Sequence, residues 1–238
     1  MKKNKVIDAS SDLNQVFSSL NLEFRMSKTK GRWLWPAEDQ GCWRMLNKSS
    51  YVDTPKKVAS LLSKKDLIIQ AGGNCGFYIK QYAEDFKTVI TFEPDYRNFF
   101  CLTYNVPEEN VYKFQACLGN ENSSLSLILG KSGDNLLNVG GLKPQQGGTI
   151  PQVTIDSLGL NPDVIQLDVE GFEPFAILGA KETIERSKPM IILEEIADRG
   201  ESYGWPLEKI KELMNSLGYE RHAQVSKLDV SYIHKSKR

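Results

Sequence analysis

From residue 66 onward, short apolar runs alternate with amphipathic segments, and this pattern constrains the fold more than any other feature of the chain. The runs have the length and near-continuous hydrophobicity of strands that are buried on both faces. They are DLIIQA, TVITF, DVIQLDV and PMIILEE. The segments between them carry apolar residues at helical spacing, as Ile79, Tyr82 and Phe86 do. Strands that alternate with helices predict βαβ units around a mostly parallel sheet, so the predicted fold class is α/β.

Residues 1–65 differ in character, which predicts two parts: an amino-terminal segment (1–65) and a main domain (66–238). The first part is polar, lacks strong strand signals and carries Trp33, Trp35 and Trp43. We expect it to be a helical and aromatic cap over the main domain. Trp33 and Trp35 could stack on a sugar or a planar acceptor there, or pack into the core, and core packing is the preferred interpretation.

Further elements complete the main domain. A helix is predicted from Pro206, with Gly218 beyond its end, and another over PFAILGAKETIERS. The Gly- and Asn-rich stretch 133–148 is predicted to be an exposed loop. The remaining predicted strands are Val111–Cys117, Ser124–Gly130 with Gln152–Asp156 as its partner, and an antiparallel pair at Tyr219–Ala223 and Leu228–Ile233.

Charge and cysteine content exclude several classes of protein. Lysine plus arginine number 30, as do aspartate plus glutamate, so the net charge is zero and neither nucleic acid nor an anionic membrane is a predicted partner. The four cysteines form no Cys-x-x-Cys pair, and Cys75 and Cys117 are predicted to be small buried residues. No stretch has the length of a signal peptide core or a membrane span, so a cytoplasmic location is predicted.

A glycine-rich loop, IIQAGGNCGFY, follows the first strand of the main domain. Gly72, Gly73 and Gly76 permit a sharp turn and close approach of a ligand, and the next helix begins with unpaired N–H groups. A dinucleotide fingerprint needs Gly-x-Gly-x-x-Gly, but Ala71 stands at its first position. The alternatives are an S-adenosylmethionine loop or a tight turn that binds nothing.

Glu93 ends the second strand of the main domain. A carboxylate at this place accepts hydrogen bonds from both ribose hydroxyls of an adenosine, in NAD and S-adenosylmethionine enzymes alike. The alternative is a surface carboxylate at a strand end. We expect the turn at 72–76, Glu93 and Asp168 to meet around a single pocket.

The run IQLDVEGFEPFAILGAKETI distinguishes between NAD and S-adenosylmethionine as the cofactor. Together with the glycine loop, TFEPDYRNF and PMIILEE, it resembles the FkbM-type methyltransferase family in order and spacing over roughly residues 66–196. The resemblance implies a Rossmann-like class I methyltransferase sandwich, with a mostly parallel sheet and an antiparallel last strand. It also implies S-adenosylmethionine as the cofactor.

The resemblance carries site residues over by position. The implied cofactor-binding residues are Gln70, Gly72, Gly73, Asn74, Gly76, Glu93, Pro94, Asp95 and Asp168. The implied active-site residues are Asp168, Glu170, Gly171, Glu173 and Glu194. Gln70 departs from the family, which usually has an acid here; an amide still hydrogen-bonds the methionine ammonium, without a full charge. Glu173 could instead be a helix-start carboxylate that meets the dipole.

The activity implied is transfer of a methyl group to a hydroxyl oxygen of a small molecule or a glycan. Such an acceptor needs a base, for which Asp168, Glu170 and Glu194 are candidates and His222 a weaker one. The acids could also bind a divalent metal, but no metal is predicted. The alternatives are a nicotinamide-dependent oxidoreductase or epimerase, and a non-catalytic module that binds the cofactor.

Overall fold

The computed structural model describes residues 9–27, 31–46, 53–129 and 141–237. The strands are β1 Leu22–Ser27, β2 Gly31–Pro36, β3 Leu67–Ala71, β4 Thr88–Phe92, β5 Val111–Phe114, β6 Cys117–Leu118, β7 Ser123–Leu129, β8 Leu142–Gln146, β9 Ile150–Val153, β10 Val164–Leu167, β11 Met190–Glu194, β12 Tyr219–Gln224 and β13 Asp229–His234. The helices are α1 Ala9–Ser19, α2 Gly41–Leu46, α3 Thr54–Ser60, α4 Phe77–Asp85, α5 Tyr96–Asn105, α6 Glu173–Leu178, α7 Lys181–Ser187 and α8 Leu207–Ser216. None of the helices in these ranges is long and apolar enough to span a bilayer.

Seven strands form the central sheet, in the order β12-β13-β11-β10-β3-β4-β5. β13 runs antiparallel to both of its neighbours, and the pairs from β11 to β5 are all parallel. The carboxyl ends of β3, β4, β10 and β11 therefore lie at one edge, where open α/β sheets bind their ligands. The predicted α/β class, with its mostly parallel sheet and an antiparallel final strand, is confirmed.

Each face of the sheet buries its own apolar cluster, because alternate strand residues point to opposite faces. On one face Ile69 and Ala71 of β3 pack with side chains of α6, α7 and α8. On the other face Ile68 packs with side chains of α3, α4 and α5, among them Ile79 and Leu102.

The amino-terminal segment contains a β-hairpin, which the sequence did not predict. β1 and β2 pair antiparallel, and Trp33, Leu34 and Trp35 of β2 are buried. Asn105 at the end of α5 fixes the hairpin, since its amide receives a hydrogen bond from Leu34 N–H (2.8 Å) and donates one to the Leu34 carbonyl (2.9 Å). The assignment of residues 1–65 as helical was therefore incomplete.

Two further boundaries correct the sequence prediction. The strand predicted to run from Val111 to Cys117 ends at Phe114, and β6 pairs instead with β9 in a second sheet of order β6-β9-β7-β8. The loop predicted at 133–148 contains strand β8; its first part, up to residue 140, lies outside the described residues. β8 tolerates Pro144 because it is an edge strand, where a missing N–H breaks no ladder. The predicted pairing of β7 with β9 is confirmed.

Candidate active site

A cleft opens at the carboxyl edge of the central sheet, with a cavity of about 170 Å³. It is lined by seven of the residues that the sequence singled out: Gly72, Asn74, Glu93, Pro94, Asp168, Glu170 and Glu194. The glycine turn and the acids that follow β4 and β10 therefore meet around one space, as expected.

The glycine turn is fixed between two strands. The N–H groups of Gly72 and Gly73 both donate to the carbonyl of Phe92 at the end of β4, each at 3.0 Å. Gly72 has φ of +87°, and a Cβ there would lie 1.9 Å from the backbone oxygen of Asp168. Only glycine allows the end of β3 to pack this closely against the end of β10.

Glu93 points into the cleft while two backbone groups hold it. Asn74 N–H donates to one carboxylate oxygen (2.7 Å) and Asp95 N–H to the other (3.0 Å). Burial raises the pKa of Glu93 to about 7, because removal from water penalises the charged form more than its hydrogen bonds, which include one with the Asn98 side chain, stabilise it.

Asp168, Glu170 and Glu194 line the cleft, a fourth acid, Asp229, is buried opposite Glu194 in the sheet, and one arginine reaches two of these carboxyl groups. Arg199 lies 3.1 Å from Glu170 and also contacts Glu194. Burial raises the pKa of Asp168, of Glu170 to about 7 and of Asp229 to about 6, and mutual repulsion adds to the rise for Glu194. Arg199 opposes all four shifts. Part of the cluster therefore changes its protonation near neutral pH.

Gln70 does not line the cleft, which corrects its expected role. Thr91 Oγ1 donates to Gln70 Oε1 (2.6 Å), and Gln70 Nε2 donates to the carbonyl of Ala71 (3.0 Å). The side chain is 1% exposed and shares the sheet face of Ile68, away from Ala71. The oxygen and the nitrogen of the Gln70 amide therefore each form a hydrogen bond within the protein.

Asp95, Gly73 and Gly76 likewise stand behind the cleft wall. Asp95 is the N-cap of α5, accepting hydrogen bonds from the N–H groups of Arg97 and Asn98, both at 3.0 Å. This use explains an acid at 95 without any ligand. Gly76, at φ +92°, precedes α4, where it packs on α5. These residues shape the site without lining it.

Glu173 supports the turn that carries the active-site acids. Its Oε1 accepts hydrogen bonds from the N–H groups of Val169 (2.9 Å) and Gly171 (3.3 Å). Glu170 within this turn has a left-handed φ of 59°. The side chain of Glu173 is buried and does not line the cleft, so its position agrees with a carboxylate that stabilises a helix start.

His222, Trp33 and Trp35 lie away from the cleft. His222 is exposed on the edge strand β12, at a β-bulge, so it is not placed to act as a base. Trp33 packs against Phe77, and Trp35 Nε1 donates to Asp39 (2.6 Å). Core packing of the two tryptophans is therefore confirmed, and their stacking on a ligand is not.

Several residues of the cleft escaped the sequence prediction. Arg199 belongs to no recognisable sequence motif. It is part of the site because it contacts two acids, Glu170 and Glu194. Cys42 enters from α2, where Asn74 Nδ2 donates to its sulfur (3.5 Å), and Pro144 enters from β8. Cys117 was predicted to be buried, which is correct, but not to line a site. Among the residues described, no group of His, Cys, Asp or Glu is arranged to hold a metal ion.

An open α/β sheet with one reversed strand, a glycine turn after the first central strand and an acid after the second together define the class I methyltransferase fold. A model of the FkbM methyltransferase domain matches residues 70–221, so the chain belongs to the FkbM methyltransferase family. The family predicted from the sequence is therefore confirmed.

Solved structures are similar to this chain at low sequence identity. An FkbM methyltransferase from Methylobacillus flagellatus KT is 18% identical with a TM-score of 0.51, over 74% of this chain and 45% of that one. The chain thus spans less than half of that protein. The magnesium protoporphyrin IX methyltransferase of Synechocystis PCC 6803 is 12% identical with a TM-score of 0.46, over 78% of this chain and 80% of that one. No curated protein matches the sequence.

Proposed function

We propose that this protein transfers the methyl group of S-adenosylmethionine to a hydroxyl oxygen of a small-molecule or glycan acceptor. The observation that carries the proposal is the single cleft in which the glycine turn, Glu93 and the cluster of Asp168, Glu170 and Glu194 meet.

The residues present fit the cofactor. Each oxygen of Glu93 accepts one backbone hydrogen bond and keeps acceptor capacity for a ribose hydroxyl. Asp168 lies against Gly72 and offers a carboxylate to the methionine ammonium. Ala116, Cys117 and Leu118 supply an apolar wall near Glu93, which suits an adenine ring.

When bound, the cofactor supplies an activated sulfonium methyl group. The chain's own residues then have to align the acceptor, exclude water and remove the hydroxyl proton. Glu170 suits the last task, because a carboxyl group with a pKa of about 7 is half ionised at neutral pH and holds a proton well once it accepts one. Arg199 offsets the accumulated negative charge, and Phe172 and Leu228 contribute apolar surface to the cleft.

The proposal is tested in two steps, first by which cofactor binds and then by whether a methyl group is transferred. Thermal unfolding is measured with S-adenosylhomocysteine and with NAD; a ligand at 100 times its Kd stabilises the fold by about 2.7 kcal/mol. We expect a rise in Tm with S-adenosylhomocysteine and none with NAD. The reverse result would replace the proposal by an oxidoreductase.

Chemistry is tested with labelled S-adenosylmethionine and a panel of hydroxylated acceptors. Glu170→Gln should lower kcat about 100-fold or more and leave the affinity for S-adenosylhomocysteine within threefold. The matched control is Glu212→Gln, on the exposed face of α8. Cofactor binding without turnover on any acceptor would indicate a non-catalytic binding module.

A further inference from the structure

A second, larger cavity of about 830 Å³ lies beside the cleft. Its walls are the second sheet and the turn around Tyr203. We call it the amide groove. Pro144 and Phe172 line both the cleft and the amide groove, so the two spaces adjoin.

Amide side chains dominate one wall of the groove. They are Asn120, Gln145, Gln146 and Gln152. Gln152 is buried and donates to the carbonyl of Glu121 (2.9 Å), whereas the other three are exposed. A primary amide is both donor and acceptor, which allows it to pair with a hydroxyl group that is also both.

Aromatic rings also line the groove. Phe172 and Phe175 stack at 4.4 Å between centroids, and Tyr203 meets both rings edge-on, at 5.4 and 6.0 Å. The Tyr203 hydroxyl donates to the Pro144 carbonyl (2.9 Å), which holds the wall against β8. Phe175 and Tyr203 remain half-buried and present ring surface to the groove.

The groove carries no net charge over its described lining. Glu121 and Lys143 are the charged side chains there, and they have opposite signs. Lys143 lies 6.0 Å from the Tyr203 ring centroid, and its field also reaches Glu170. A surface of this kind attracts neither a polyanion nor a polycation.

We infer that the amide groove binds the acceptor as an uncharged oligosaccharide and presents one of its hydroxyls to the acidic cluster. A sugar ring has hydroxyl groups around its edge, which pair with the amides, and C–H faces that pack on aromatic rings. The inference rests on the proposed function and narrows its acceptor to a carbohydrate.

The test measures saccharide binding to the full chain without cofactor, by saturation-transfer NMR. The probes are cellotriose, maltotriose, mannotriose and triacetylchitotriose, with trigalacturonic acid as an anionic comparison. We expect at least one neutral trisaccharide to bind. Tyr203→Ala and Gln146→Ala should each raise its Kd about tenfold, the loss of roughly one good contact.

Two controls keep the result interpretable. Gln15→Ala, at an exposed position of α1 outside the groove, should not change the Kd. Gln146 is exposed, so its variant tests the groove even if Tyr203→Ala fails to fold. Affinity for S-adenosylhomocysteine should be unchanged in Gln146→Ala, which shows that the cleft is intact.

The inference is overturned if no neutral trisaccharide binds the unaltered chain, if Gln146→Ala and Tyr203→Ala bind as well as it does, or if the anionic probe binds best. Failure of the proposed function gives a different result: S-adenosylhomocysteine does not bind, whatever the saccharide measurements show. The two failures can therefore be told apart.

Discussion

The backbone oxygen of Asp168 occupies the space that a side chain on Gly72 would need, with 1.9 Å between it and a Cβ built at that position. The end of β3, which carries the glycine turn, and the end of β10, which carries the acids, are thus in direct backbone contact. The distance between the turn and Asp168 is set by packing and not by a flexible side chain.

Gly72→Ala should therefore destabilise the fold by more than backbone strain alone. Gly159→Ala is the matched control, because Gly159 also has a positive φ (+65°) but no atom within 4 Å of a Cβ. In urea unfolding, we expect the free energy of unfolding to fall by about 1 kcal/mol in the control and by about 3 kcal/mol or more in Gly72→Ala. Equal losses would mean that the contact with Asp168 yields easily.

Glu93 should make cofactor affinity depend on pH. Its pKa is raised to about 7, and only the carboxylate accepts hydrogen bonds from two ribose hydroxyls. Affinity for S-adenosylhomocysteine should increase about tenfold from one pH unit below that pKa to one above it. Calorimetry on Glu93→Gln should show a flatter dependence, and Glu93→Ala should bind about 10- to 150-fold more weakly. An unaltered pH slope in Glu93→Gln would place the titrating group elsewhere.

Arg199→Gln should destabilise the protein in a pH-dependent way. The folded-state pKa values of the neighbouring acids lie above their unfolded values, so stability is full at acid pH and falls as pH rises through them. Removal of Arg199 raises those pKa values further. In urea unfolding, the variant should have the same free energy of unfolding as the unaltered chain near pH 4. Above neutral pH its free energy of unfolding should be lower by about 2 kcal/mol. Arg221→Gln, at a half-exposed ion pair, should show no such trend. A deficit that is constant with pH would argue against the electrostatic account.

Asp95→Ala distinguishes a helix cap from an adenine contact. Loss of the N-cap of α5 should cost about 1 kcal/mol in thermal or urea unfolding, whereas Asp95→Asn should retain most of it. Affinity for S-adenosylhomocysteine should stay within twofold in both variants. A large loss of affinity in Asp95→Asn would restore the ligand contact that the sequence suggested.

The sequence predicts the main domain well where hydrophobic period and glycine placement agree. The centre of DVIQLDV, Val164–Leu167, becomes a fully buried central strand, and Leu207–Ser216 forms a helix with Gly218 beyond it. It also predicts that the ends of these strands share an edge. That is why the glycine turn, Glu93 and Asp168 meet in one cleft.

The rest depends on contacts between distant residues. Leu142–Gln146 becomes a strand only because β7 offers it a partner, and Arg199 joins the site only through acids on other elements. Gln70 has a simpler explanation, because adjacent strand residues point to opposite faces. With Ala71 at the cleft wall, the alternation of side chains along β3 turns Gln70 to the other face of the sheet.

The position of β13 between β11 and β12 has a consequence for biosynthesis. While the ribosome is still adding residues 219–228, β12 has no neighbour to pair with, and the open side of β11 stays unprotected. β12 can join the sheet, and the open side of β11 can be covered, only after residues 229–234 emerge, because β13 pairs with both strands. A nascent chain stalled before that point would expose an unpaired sheet edge, where a chaperone could bind.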